Sequence, residues 1–447
     1  MASPQSFQAP TGTRDIYPAD ANRRRYINEA WRAASIRHGF EEIDGPTFEH
    51  LDTYTVKSGE AIVSELFSFQ RAGGEKTYAL RPEFTPTLAR LYAARAGSLP
   101  KPTRWFTSGP MFRAERPQRG RLREFLQWNC DILGDPSAQA DAEIIAACIG
   151  LLEQMGLTPA DCRVRTSNRY LIRDLSLHCG LPEEKLEAWL AYLDGETKRS
   201  EKENAEFLVH RGVPLHVRDN FNALLDRVKS ITDPTEFNAG AFGLKLETIE
   251  RHAEMLTHLQ RMGCLDWCQP PLDLRVVRGL AYYTGMVFEV HEISGGERAL
   301  AGGGRYDNLI ELFGGPPTPA VGFGMGDVVL GLVLQDRGLM PSDAILAERA
   351  GGRPDVFVIS NGTPEADLAL PGVLAALRQQ TPTLRGLHAR RTGKSTKNIG
   401  KLLQEAAGLR ARCAMILESG ESATLKNLET GVQIAMPIAA AIAQLRG

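Results

Sequence analysis

Between Gly109 and Gly134 apolar and polar residues alternate at period two. Leu126, Trp128, Cys130 and Ile132 point one way, and Gln127, Asn129 and Asp131 point the other. The spacing predicts a strand buried on its apolar side. Amides and a carboxylate on the other side cost free energy unless they find partners, so that face is expected to look into a cleft where a ligand satisfies them. Another strand precedes it, and the loop between them, "RAERPQRGRLR", is expected to hang over the cleft mouth. Helical periodicity predicts a helix over 22–37 ending near Gly39, and an amphipathic one within "SAQADAEIIAACIGLLEQMG". "KTYALRPEFTPTLARLYAARAG" reads as a strand and then a helix, with Thr85 as N-cap and Pro86 at the first helical position.

From Pro182 to Arg261 the pattern changes to charged helical pieces, expected to form an inserted module. Strand signals return in "LDLRVVRGLAYYTGMVFEVHEI", "ALAGGGRYDNLIELFGG" and "PAVGFGMGDVVLGLVLQ". A linker-like stretch with Gly338, Pro341 and "AGGRP" follows, and beyond it β and α patterns alternate to the last residue. That alternation predicts a small α/β domain with a mainly parallel sheet. The expected division is a core at 1–181, a helical insertion at 182–262, the rest of the core at 263–336, a linker at 337–353 and an α/β domain at 354–447.

A formal net charge of −2 excludes a broad basic coat, so any nucleic-acid contact is expected from local patches. Seven cysteines include only one close pair, "CLDWC", with no second pair at ligand spacing. They are read as reduced core thiols of a cytoplasmic protein, with no metal site. "MASPQSFQAP" is not a signal peptide, and no apolar run approaches the ~20 residues of a membrane span.

Five arginines within eleven positions of the loop fit a polyphosphate, because each guanidinium presents a fixed fork of donors. A solvated charged hairpin is the plainer alternative, and the polar-faced strand beside the loop argues against it. Glu83, between a strand and a helix, suits a ligand ammonium, although an acid there also serves as a cap. Arg278 follows an apolar run with no acid near it in sequence, so its counter-charge is expected from a phosphate. Tyr282 and Tyr283 read equally as core aromatics or ligand contacts. Gly322, Gly324 and Gly326 lie at period two, a face on which a flat ligand can rest. They do not make a dinucleotide fingerprint, since the third glycine falls at Asp327, and "TGKST" is no phosphate loop because His388 occupies the upstream glycine position.

Taken together, "APTGTRDIYPAD", "GFEEIDGPTFEH" with Pro46, "FRAERPQRGRLREF", "VRGLAYYTG" and "AGGGRYDNL" resemble, in order, the signatures of the histidyl-tRNA synthetases, a class II family. The resemblance runs from Thr11 to the last helix. It implies an α+β fold: a class II synthetase-type antiparallel-sheet catalytic domain with a helical insertion, and a C-terminal α/β anticodon-binding domain. It also implies ATP- and Mg²⁺-dependent activation of histidine to histidyl-adenylate and transfer to the 3′ end of tRNA(His), by a homodimer. By the same resemblance, Glu83, Thr85 and Gln127 hold the histidine amino group. The imidazole lies between Asp131 and Tyr283, with Tyr282 and Tyr306 nearby. Arg113 and Arg278 grip the α-phosphate from two sides, Phe125 stacks on adenine, and Arg121 reaches the phosphates. Glu115, Gly324 and Gly326 complete the ATP site. Two departures stand out: Val329 occupies the motif 3 arginine position, and Asp131 replaces a glutamate common in relatives, with Ala281 at a second acid position. A histidine-binding regulatory paralogue is the main alternative; Arg113, Arg278 and the C-terminal domain argue against it. A pure RNA-binding module built on "RGLHARRTGKSTKNIGK" has little more than a charge run behind it.

Overall fold

The computed structural model describes residues 7–58, 65–196, 199–228, 231, 236, 247–277 and 282–447. Two compact units result, Met1–Tyr17 with Arg23–Met340, and Pro18–Asn22 with Pro341–Gly447.

The larger unit contains β1 (Glu41–Glu42), β2 (Phe48–His50), β3 (Ser68–Gln70), β4 (Thr77–Leu80), β5 (Thr103–Phe112), β6 (Glu124–Leu133), β7 (Cys162–Asn168), β8 (Met286–Glu292), β9 (Ala301–Arg305) and β10 (Ala320–Gly326). Seven form one sheet in the order β1-β5-β6-β10-β9-β8-β7, antiparallel except for the β1–β5 pair. Alternation along the strands separates two apolar layers. Phe106, Trp128, Cys130, Ile132, Phe288 and Phe323 join one core, while Trp105, Leu133, Val287 and Ala320 join the other. The first layer is covered by the helices Pro18–Arg37 and Ala138–Gln154. Trp31 of the former stacks on Trp128, ring centres 6.3 Å apart. Ser137 caps the latter by accepting from the Ala140 N–H.

The helix Thr85–Ala93 lies in the second layer through Leu88 and Tyr92. Thr85 is its first residue and not its cap: Phe84 holds the cap position, with no side chain closing the turn. In the stretch 182–262 the helices Leu186–Gly195, Glu201–His210, Leu215–Val228 and Glu247–Arg261 bury Trp189, Leu208, Phe221 and Met255 in the same core as the sheet. β2, β4 and β3 form a separate three-stranded sheet.

The smaller unit holds β11 (Val356–Ser360), β12 (Ala389–Arg391), β13 (Cys413–Leu417), β14 (Ser422–Asn427) and β15 (Gln433–Pro437), ordered β12-β11-β13-β14-β15. The expected mainly parallel sheet is corrected: β12, β11 and β13 run parallel, but β14 and β15 add antiparallel edges through short turns. The stretch expected as a linker carries a helix, Asp343–Arg349.

Candidate active site

The polar face of β6 sits against the glycine face of β10. Asp131 pairs with Gly322, Asn129 with Gly324 and Gln127 with Gly326. A Cβ at position 322 would lie 1.9 Å from Asp131 Oδ1, and one at 324 would lie 3.0 Å from Gln127 Nε2. The expectation that these glycines form a bare floor for a flat ligand is therefore corrected for Gly322. Its missing side chain is the space into which Asp131 folds. Its backbone still lines the smaller cavity with Gly324, and Gly324 and Gly326 line the larger one.

Asp131 is 3% exposed and accepts a hydrogen bond from the Tyr306 hydroxyl. Burial pushes its carboxyl up to about 7, against the downward pull of that bond. Tyr306 follows Arg305, which is buried and binds Asp141 at 2.7 Å, Asp307 at 3.2 Å and the carbonyls of Asp135 and Ser137. That network fixes where the tyrosine points. On the opposite wall the Tyr282 hydroxyl donates to Glu83 Oε2 at 2.6 Å. Burial and the neighbouring Glu83 and Tyr283 hold the Tyr282 phenol far above its ordinary value, so it remains a donor. Rings of Tyr282 and Tyr283 are centred 5.0 Å apart, and those of Tyr282 and Tyr306 6.0 Å apart. Glu83, Thr85, Gln127, Tyr282, Tyr283 and Tyr306 all line a cavity of about 50 Å³. Two of its polar atoms, Gln127 Oε1 and Asn129 Nδ2, are buried without a hydrogen-bond partner among the described residues. Such atoms are costly until a ligand meets them.

A cavity of about 250 Å³ adjoins the first, sharing Arg113, Gln127, Gly302 and Gly324 as walls. Arg113 Nε donates to the Pro82 carbonyl at 3.1 Å, and its guanidinium lies 5.1 Å from the centre of the Phe125 ring. Arg121 pairs with Glu115, so Glu115 acts on the arginine rather than lining the cavity. Of the five loop arginines only Arg113 and Arg121 line it. Arg119 binds Glu297 at 2.6 Å and Asp336 at 3.2 Å, and Arg123 donates to the carbonyls of Glu115 and Thr11. The expectation of a five-arginine phosphate loop is narrowed accordingly. Arg298, on the opposite rim, lines the same cavity. Sequence reasoning missed it because one arginine in the glycine-rich turn "SGGERAL" carries no periodic signal. Arg278 lies outside the described residues.

An N-terminal segment holds the loop from outside. Arg123 N–H donates to the Gly12 carbonyl at 2.8 Å, and Arg14 binds Asp327 at 2.8 Å. Asp327 accepts in turn from the Leu126 N–H at 2.8 Å. Gly12 has φ +88°, and a Cβ there would come within 2.7 Å of Pro117.

Residues 12–326 match the family model described as histidyl-tRNA synthetase. A histidine–tRNA ligase of Opitutus terrae is 38% identical over 372 residues, covering 83% of each chain. One from Halobacterium salinarum is 36% identical over 443 residues, covering 96% of this chain and 95% of its own. The crystal structure of histidyl-tRNA synthetase from Nostoc sp. PCC 7120 shares the fold, with a TM-score of 0.71 at 22% identity over 99% of both chains.

Proposed function

Because the chain belongs to the histidyl-tRNA synthetase family, we propose that its two joined cavities are the histidine and ATP subsites of one active centre. The protein is an ATP-dependent histidine–tRNA ligase. The observation that carries the site assignment is the smaller cavity. It offers a carboxylate for an ammonium in Glu83 and two unpartnered amide atoms in Gln127 and Asn129, and behind its lining Tyr306 stands Asp131, the buried acceptor we assign to an imidazole N–H.

Histidine enters with its ammonium on Glu83, Thr85 and Gln127 and its ring between Asp131 and Tyr283, beside Tyr282 and Tyr306. Tyr306 aims the Asp131 carboxylate, and the imidazole N–H completes it. An apolar amino acid would leave that acceptor dry and unpaired, which is the physical basis of selection. The adenine of ATP stacks on Phe125, over the floor of Gly324 and Gly326, with the α-phosphate on Arg113. Arg121, aligned by Glu115, draws in the phosphate tail, and Arg278 keeps the α-phosphate role that the resemblance gives it. The histidine carboxylate then attacks the α-phosphorus in line, a P–O bond forms, and pyrophosphate leaves with the electrons of the broken bond. Positioning and fixed cations supply most of this chemistry; one such donor is typically worth about 2.7–4 kcal/mol of barrier. In the second step a ribose hydroxyl at the 3′ end of tRNA(His) attacks the adenylate carbonyl, loses its proton and releases AMP.

Mg²⁺ belongs to the substrate here, carried on the triphosphate. Glu289 lines the larger cavity, and one carboxylate together with phosphate oxygens suits that ion. We assign the smaller unit to anticodon binding. We further assign a homodimer built through the three-stranded sheet, whose open face carries Phe48 and Phe69, 48% and 43% exposed, in edge contact, with His50 stacked on Tyr78. Seven free cysteines suit a reducing cytoplasm. Among the described residues no helix is long and apolar enough to cross a membrane. Charging of total tRNA with each amino acid in turn tests the reading: only histidine should be incorporated, and charging with a different amino acid would overturn it.

A further inference from the structure

Three guanidiniums, of Arg113, Arg121 and Arg298, line the larger cavity. Arg113 is held by the Pro82 carbonyl and Arg121 by Glu115. Arg298 makes no hydrogen bond or ion pair with any described residue. The acids around it are engaged elsewhere: Glu297 with Arg119 at 2.6 Å, Glu289 with His291 at 2.9 Å, and Glu115 with Arg121. Partial loss of water, together with the Arg121 and Arg113 charges, pulls the Arg298 guanidinium below its ordinary value, with Glu115 opposing. Cations gathered against their own repulsion are complementary to an anion with several charges.

Val329 stands on the same wall. A Cβ at Gly120 would meet Val329 Cγ2 at 3.3 Å and Arg298 Cδ at 3.8 Å, so the two side chains flank one spot under the arginine loop. At Val329, where the resemblance places a cation, this chain has an apolar side chain. Arg113 walls both cavities and so stands at the junction where the α-phosphate must lie. Arg298 walls only the outer one.

We propose that Arg298, reaching in from the turn before β9, binds the terminal phosphates of ATP and the departing pyrophosphate, in place of a cation at position 329. The proposal rests on the active-site assignment above. It divides the labour by position: Arg113 serves the reacting phosphorus, and Arg298 serves the leaving group.

R298Q should raise the KM for ATP and for pyrophosphate in histidine-dependent exchange by about 10- to 100-fold, the usual worth of a hydrogen bond to a charged group. AMP lacks the terminal phosphates, so its affinity by titration calorimetry should match the parent's, as should that of histidine. R298K should recover part of the loss. Arg298 is exposed and bonded to no described residue, so R298Q should fold as the parent does. An unchanged affinity for ATP, or an equal loss for ATP and AMP, would overturn the proposal. Calorimetric ATP and AMP binding reads Arg298 directly, whereas absence of histidine-dependent exchange in the parent would indict the active-site assignment instead.

Discussion

Replacing Asp131 by asparagine should make the protein more stable and less able to bind histidine. The carboxyl is buried, and its titration moves from 3.8 to about 7 on folding. A group with a raised folded-state value binds more protons when folded. Its ionised form therefore weighs against the fold, and stability falls as pH rises from 4 to 7. At about 1.4 kcal/mol per pH unit the whole interval is worth on the order of 4 kcal/mol, and the part between pH 5 and 8 about 3 kcal/mol. An asparagine keeps the shape and an acceptor for Tyr306 but no charge, so this penalty vanishes. Urea unfolding of parent and D131N at pH 5 and pH 8 measures it. All five tryptophans lie in the larger unit, so their fluorescence reports on the unit that holds Asp131. D131N should gain on the parent by a few kcal/mol between the two pH values. Histidine should then stabilise the parent at pH 8 and leave D131N nearly unmoved. Parallel pH profiles for the two proteins would refute the reasoning.

Other consequences follow from neighbouring contacts. G322A places a methyl where Asp131 Oδ1 now sits, so the carboxylate must swing away; the KM for histidine should rise at least ~10-fold, and an unchanged value would remove the role given to this glycine. D141A leaves Arg305 buried with a single carboxylate, Asp307, and should cost about 3–5 kcal/mol in unfolding, with a loss under 1 kcal/mol counting against the network. Replacing Phe48 and Phe69 by serine should convert a dimer into a monomer by light scattering; a parent of monomeric mass at micromolar concentration would dispose of that interface.

The sequence revealed what is periodic. The two faces of β6 could be read directly, because Trp128, Cys130 and Ile132 alternate with Gln127, Asn129 and Asp131; the structure buries the first set in a core, turns Gln127 and Asn129 to the cleft and tucks Asp131 behind its wall, against Tyr306. What it could not show are pairings across long separations. Arg119 is drawn from the phosphate site by Glu297 and Asp336, some 178 and 217 residues away, and nothing local announces it. Nor were β14 and β15 foreseen: each shows only two apolar residues at period two, Ala423 with Leu425 and Ile434 with Met436, too short a stripe to stand out from the turns around it. Gly322 looked like a ligand floor because a missing side chain has the same signature whether a substrate or a carboxylate fills it.

The brace formed by Gly12 and Arg14 makes the arginine loop dependent on residues far from it in sequence. Aminopeptidase trimming past position 14 would spare every group that touches a substrate, yet it would untie the loop's outer edge and strip Asp327 of its cation. Preparations differing only in their first fourteen residues should therefore be treated as different enzymes.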